Sequence, residues 1–128
     1  MEIDWIKRKN AQGTRHSVPT VSITKKGLIS LNKQAVEILS LQERNMVAIG
    51  RDKHNPKDWY IVRTTDGYML RKYAPYRGSL CFSASSLAEE IYNSLGNKEN
   101  KTIRFAIAQQ PTQYKDMILY AIITSKQL

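Results

Sequence analysis

From Thr20 onward the chain alternates. Thr20-Val21-Ser22-Ile23-Thr24 places an apolar side chain at every second position and is rich in β-branched residues, the pattern of a strand with one face in a core. Lys25-Lys26-Gly27 supplies a turn, and Leu28-Ile29-Ser30-Leu31 a second short strand. Asn32 stands where a helix N-cap belongs, with a side-chain oxygen that accepts from backbone N–H groups the first turn leaves free. The apolar spacing then predicts a helix from about Lys33 to Ser40, with Val36 and Leu39 facing the core and Ala35 and Ile38 beside them. A polar turn from Gln42 to Asn45 leads to a strand over Met46–Ile49, a loop from Arg51 to Lys57, and a strand over Asp58–Arg63.

The second stretch has a similar order. After the Asp66-Gly67 turn, Tyr68 to Tyr73 reads as a strand, Pro75 to Gly78 as a loop, and Ser79 to Phe82 as another strand. Ser83, Ser85 or Ser86 then caps a helix, and Ser86 with Glu89 has capping-box spacing. Leu87, Ile91 and Leu95 give that helix one apolar face, and Gly96 is its stop. Two strands, Thr102–Ala108 and Met117–Thr124, flank a glutamine-rich loop. The match in order and punctuation predicts an internal duplication. The expected fold class is α+β: two related strand-strand-helix-strand-strand halves, residues 20–65 and 67–125, packed as a pseudo-two-fold, β-rich single domain with both helices on one side. Residues 1–19, with Gly13 and Pro19, read as a basic amino-terminal arm and loop.

The charge changes the picture. Twenty Lys and Arg face eleven Asp and Glu across 128 residues, a net of +9, with a pI near 9.8. Such an excess attracts anionic partners, nucleic acid above all. A single cysteine, Cys81, excludes an intramolecular disulfide and suits a reducing compartment. It lies between Leu80 and Phe82, the setting of a buried small hydrophobe rather than a nucleophile. No window approaches the roughly 18 apolar residues of a membrane span, and the charged start of the chain predicts no secretory signal. A cytoplasmic protein without membrane partners is expected.

Enzymatic chemistry finds no foothold in the pattern. His16 and His54 sit in separate polar loops without metal-ligand neighbours at useful spacing, so no metal and no cofactor is expected. Phosphate-binding glycine loops and nucleophile elbows are absent from the sequence. Asp58 and Asp116 occupy corresponding places, each opening a strand, and read as turn-closing residues rather than a catalytic pair. Glu89 and Glu90 fall at a helix start, where the dipole favours them.

The cations cluster more informatively. From Met1 to Lys33 the chain carries Lys7, Arg8, Lys9, Arg15, Lys25, Lys26 and Lys33 against Glu2 and Asp4, which is +5 of the +9. A second group, Arg63, Arg71, Lys72 and Arg77, is interleaved with Tyr68, Tyr73 and Tyr76. Charge for phosphates and rings for bases is the composition of a nucleic-acid surface. Tyr68 and Tyr73 fit equally well as inward residues of a strand, whereas Tyr76, between Pro75 and Arg77, is the stacking candidate.

The stretch Val21 to Arg63 resembles the AbrB/MazE group of small β-barrel DNA-binding domains. The residues that carry the resemblance are Lys26-Gly27-Leu28-Ile29-Ser30-Leu31, Val36-Glu37-Ile38-Leu39-Ser40-Leu41 and Glu43-Arg44-Asn45-Met46-Val47. Asn32 replaces the group's usual proline, Ser40 its helix-ending glycine, Arg44-Asn45 its Gly-Asp turn, and Leu28 the basic residue that often follows its turn glycine. The resemblance implies two interlocked units, here as a monomeric pseudo-dimer within one chain or as a homodimer, with Glu89 and Glu90 making the second half the poorer DNA surface. The expected function is therefore non-catalytic nucleic-acid binding, to DNA in preference to RNA, as a small transcriptional or mobile-element regulator. The contact residues would be Lys7, Arg8, Lys9, Arg15, Lys25, Lys26, Lys33, Arg71, Lys72, Tyr76 and Arg77. The alternative is a protein-interaction or assembly module of a phage or conjugative element, pairing through strand edges after Thr124 or near Val21.

Overall fold

The alternation at Thr20 builds strand β1 (Thr20–Ile23), and the tight turn through Gly27 returns it as β2 (Leu28–Leu31). In this computed structural model, which describes Glu2 and residues 18–128, there follow α1 (Lys33–Ile38), β3 (Met46–Arg51), β4 (Trp59–Thr64), β5 (Tyr68–Met69), β6 (Arg71–Lys72) and β7 (Leu80–Ser83). The chain ends with α2 (Ser85–Ser94), β8 (Ile103–Ile107), β9 (Thr112–Tyr114) and β10 (Met117–Ile123). Asn32 caps α1 as its position suggests: its Oδ1 accepts from the Ala35 N–H at 2.9 Å and from the Thr20 N–H at 3.0 Å, tying the helix start to β1.

All the barrel strands belong to one antiparallel sheet, in the order β5-β3-β4-β10-β8-β1-β2-β7-β6. The two terminal strands of that order, β5 and β6, are separated in sequence by Leu70 alone. One stretch of chain therefore pairs with both edges, Val47 facing Tyr68 on one side and Cys81 facing Arg71 on the other. Buried Leu70 joins them, accepting from the Arg44 N–H at 2.9 Å and donating to the Asn45 carbonyl at 2.8 Å. The result is a nearly closed antiparallel barrel. Its interior is filled by the inward residues of each strand, including Val21, Ile23, Ile29, Leu31, Ile61, Phe82, Ile103 and Phe105. Each contributes roughly 1.5–3 kcal/mol by leaving water.

The α+β, pseudo-two-fold expectation is overturned. Strands make up 38% of the structure and helix only 14%, so the fold is a β-barrel dressed with two short helices. Nor do the halves form separate five-element units. The hairpin β3–β4 and the hairpin β1–β2 are held apart in the sheet by β10 and β8, from the far end of the chain. The physical reason is edge pairing: both outer edges of the β1–β2 hairpin and both of the β3–β4 hairpin, with unmet N–H and C=O groups, find partner strands from elsewhere in the sequence.

Local expectations fail in instructive places. The strand expected from Tyr68 to Tyr73 breaks at Leu70, because it must serve two partners that lie in different directions. The Ser86–Glu89 capping box does not form; Ala84 occupies the N-cap of α2 with no side-chain hydrogen bond. Instead the Ala84 N–H donates to the Gly27 carbonyl at 2.8 Å, so the β1–β2 turn receives the chain as it enters α2. The strand edge expected near Val21 is closed, since β1 lies between β2 and β8, and among the described residues no strand follows Thr124. An open edge belongs to β9, within the glutamine-rich loop, which pairs with β10 alone.

Candidate nucleic-acid interface

Between β6 and β7 the chain makes a compact loop, Tyr73 to Ser79. Three backbone bonds close it: the Tyr76 N–H to the Tyr73 carbonyl at 3.0 Å, the Ser79 N–H to the Tyr76 carbonyl at 3.2 Å, and the Tyr73 N–H to the Ser79 carbonyl at 3.0 Å. Gly78, at φ 83°, takes the left-handed conformation that lets the loop rejoin β7. The loop overhangs a groove of about 480 Å³ whose apolar wall includes Val36 of α1, Leu41 and Leu80. Lys72, Tyr73, Tyr76 and Arg77 line it from the loop side, and Glu43 from the other. The Lys33 stem lies within 3.0–3.4 Å of where a Cβ on Gly78 would be, which puts a third cation beside the same groove.

Tyr76 is 64% exposed, the largest exposure of any large hydrophobic residue among the described residues. Its ring leans on Tyr73, with centroids 5.6 Å apart and planes tilted 47°, so the exposed ring is braced rather than free. The Lys72 ammonium stands 4.0 Å from the Glu43 carboxylate, with both side chains largely in solvent. Such a pair is worth little and leaves Lys72 available.

The structure thus gathers Lys33, Lys72, Tyr76 and Arg77, and separates the rest. Arg71 faces the outer side of the sheet, opposite Cys81, and donates to the Ser83 hydroxyl at 3.0 Å. Lys25 and Lys26 sit in the β1–β2 turn, at the opposite end of β2 from Lys33. Lys25 borders a second hollow of about 430 Å³ shared with Glu89, Tyr92 and Lys98, where a carboxylate dilutes the positive charge. Lys7, Arg8, Lys9 and Arg15 lie outside the described residues, as does His16.

No family model, curated protein or solved structure matches this chain. Its chemistry must be read from its own residues. Sequence reasoning missed Tyr73 as a groove residue and Lys98 as a neighbour of Lys25. The signal for Tyr73 was its spacing from Tyr76: three residues apart across a proline turn, the two rings fall on one side. Tyr68, which the sequence left open between a strand interior and a binding surface, is 38% exposed and stacks on Phe82 with centroids 4.9 Å apart. Arg104, whose Nε donates to the Ser22 hydroxyl at 3.1 Å across the outer face of β8 and β1, had no sequence signal at all.

The titratable groups that shift are structural. Burial pushes the Cys81 thiol above its ordinary 9.0, against the opposing pull of Arg71. Burial likewise raises the Tyr92 phenol above 10.0; its hydroxyl bonds to the Ile23 carbonyl at 2.9 Å and also to the Lys101 carbonyl. Among the described residues no group of three or more His, Cys, Asp or Glu is placed to hold a metal, and no helix is long and apolar enough to cross a membrane. Asp58 closes the 52–58 loop through its backbone, donating to the Asn55 carbonyl at 2.9 Å and accepting from Asp52 at 3.0 Å.

Proposed function

We propose that this protein binds nucleic acid, DNA in preference to RNA, without catalysing a reaction on it, as a small transcriptional or mobile-element regulator. The observation that carries the reading is the groove beneath the Tyr73–Ser79 loop, where an exposed ring stands among Lys33, Lys72 and Arg77. Phosphate attraction needs cations that are not already neutralised. Residues 18–128 keep sixteen of the twenty Lys and Arg and nine of the eleven Asp and Glu, which leaves +7. Only Lys72 and Lys101 have a carboxylate within 4.0 Å among the described residues. A charge excess so little spent on internal pairs is available to an external polyanion.

The resemblance of Val21 to Arg63 to the AbrB/MazE group lends support from a different side. Ser40 (φ 54°) and Arg44 (φ 76°) both hold left-handed backbone, and these are the positions where that group carries glycine. Side chains that tolerate such backbone poorly keep the turn geometry which the glycines would otherwise supply.

The test is fluorescence anisotropy with labelled oligonucleotides at low and moderate salt. With phosphate contacts from Lys33, Lys72 and Arg77, affinity should fall about 20–40-fold between 50 and 200 mM salt. Replacing Lys33 and Arg77 together with Gln should flatten that dependence. No binding to single strand or duplex at low salt would remove the reading.

A protein partner is the second reading, favoured by the β9–β10 ribbon. Tyr114, Met117 and Ile118 are exposed there by 42–53%, beside the open edge of β9. Under that reading Ile118→Lys abolishes partner capture and leaves oligonucleotide affinity unchanged.

A further inference from the structure

Phosphate attraction needs only cations at a surface, and Lys25, Lys26 or Arg104 would serve it as well as any. The groove under the Tyr73–Ser79 loop has features that phosphates do not require. Its floor is apolar, from Val36, Leu41 and Leu80, and one wall is the braced, outward-facing ring of Tyr76. An apolar floor beside a bare aromatic face suits a flat, largely apolar ring. The rim carries Lys33, Lys72 and Arg77 against the single carboxylate of Glu43, which is complementary to an anion attached to that ring. A nucleobase with its flanking phosphates combines both requirements, and the volume of about 480 Å³ lies in the usual range for small-molecule sites.

We infer that this groove seats an unstacked base of single-stranded nucleic acid, stacked on Tyr76, with the adjoining phosphates held by Lys33, Lys72 and Arg77. The inference rests on the nucleic-acid reading above and adds the form of the ligand: paired bases in a duplex have both faces covered and cannot enter. The loop is closed by its own backbone bonds before anything binds, so little ordering cost opposes the contact. The stacked face is indifferent to which base it meets, so the groove favours strandedness over sequence.

Full-length protein titrated into labelled oligothymidylate and oligouridylate of about 12 nucleotides, a length matched to single-strand sites, and into a duplex of equal length, tests this by anisotropy. Single strands should bind more tightly than duplex, and the thymidylate and uridylate arms separate DNA from RNA. Tyr76→Ala should weaken single-strand binding about tenfold or more and change duplex binding less than about twofold, whereas Tyr76→Phe should behave as the unaltered protein. Because Tyr76 is exposed, its thermal transition should be unchanged, which separates lost contact from lost fold. Equal losses on single strand and duplex, or no loss on either, overturn the base-seating groove while leaving nucleic-acid binding intact. Unaltered protein that binds none of the three probes overturns the broader reading and this one with it.

Discussion

Gly27 allows the packing of turn against helix to be measured rather than asserted. Its φ is +111°, and a Cβ there would lie 2.6 Å from the Ser85 Cα and 2.8 Å from the Ser85 nitrogen. Both are backbone atoms at the start of α2, so no flexible side chain can move aside. Gly27→Ala therefore combines a left-handed backbone cost of about 1–2 kcal/mol with an overpacking cost of about 1–3 kcal/mol, for a sum near 3 kcal/mol. Two other glycines separate these contributions. Gly96, at φ +66°, has nothing within 4 Å of its would-be Cβ, so Gly96→Ala should show the backbone cost alone. Gly50 has open space and no positive φ, so Gly50→Ala should be neutral or stabilising by about 0.5 kcal/mol. In urea denaturation, with a slope of about 1–3 kcal/mol per molar, Gly27→Ala should lower the midpoint by about 1–3 M and Gly96→Ala by roughly half as much or less. A Gly27→Ala protein no less stable than Gly96→Ala would show that the close approach to Ser85 is not what holds the turn.

Other outcomes follow from the same geometry. Ser40→Gly should stabilise the fold by about 0.5–1 kcal/mol, because a left-handed residue without a Cβ relieves more than it loses in chain entropy; a thermal melt reads it, and a lower transition temperature refutes it. Tyr92→Phe should cost about 1–2 kcal/mol by leaving the Ile23 and Lys101 carbonyls without their hydroxyl partner. Cys81 and Tyr92 are acids whose folded pKa values are raised, so the stability they contribute is complete below about pH 9 and is lost as pH climbs through their folded values; alkaline denaturation of Tyr92→Phe should begin at higher pH than that of the unaltered chain. A fragment ending at Thr65 should show no cooperative transition at low concentration, since β4 and β1 would each lack the neighbour that β10 and β8 supply.

What could be read along the chain was what local chemistry decides. The alternation of β1 and β2, the turn at Gly27 and the cap at Asn32 depend on residues within a few positions of one another, and each stands where the pattern placed it. The same holds for the end of α2, where Gly96 takes φ +66° and its N–H donates to the Asn93 carbonyl. The barrel itself was not legible, because closure depends on which distant edges meet. Nothing in Tyr68-Met69-Leu70-Arg71-Lys72 announces that its two ends serve opposite sides of a sheet. The capping box at Ser86 failed for a related reason: the Gly27 carbonyl, fifty-odd residues upstream, had already fixed the chain at Ala84. Of the proposed contact residues, those near α1 and the β6–β7 loop converge because β2 and β7 pair in register, Leu31 facing Leu80. Lys25 and Lys26 share their charge but lie at the other end of that same pairing.

The position of β10 and β8 in the middle of the sheet also dictates the order in which the molecule becomes whole. As the chain leaves the ribosome, the β1–β2 and β3–β4 hairpins emerge first, yet the strands that join them, β8 and β10, are made only after α2. Until then the nascent chain carries two unsatisfied hairpin edges, the usual starting points for aggregation. Closure of the barrel must wait for β8 and β10 and then proceed through long-range pairing, which is slow compared with local structure formation. Deleting Tyr120 to Ile123 would take away a central stave of the sheet, and the remainder would be substrate for proteolysis.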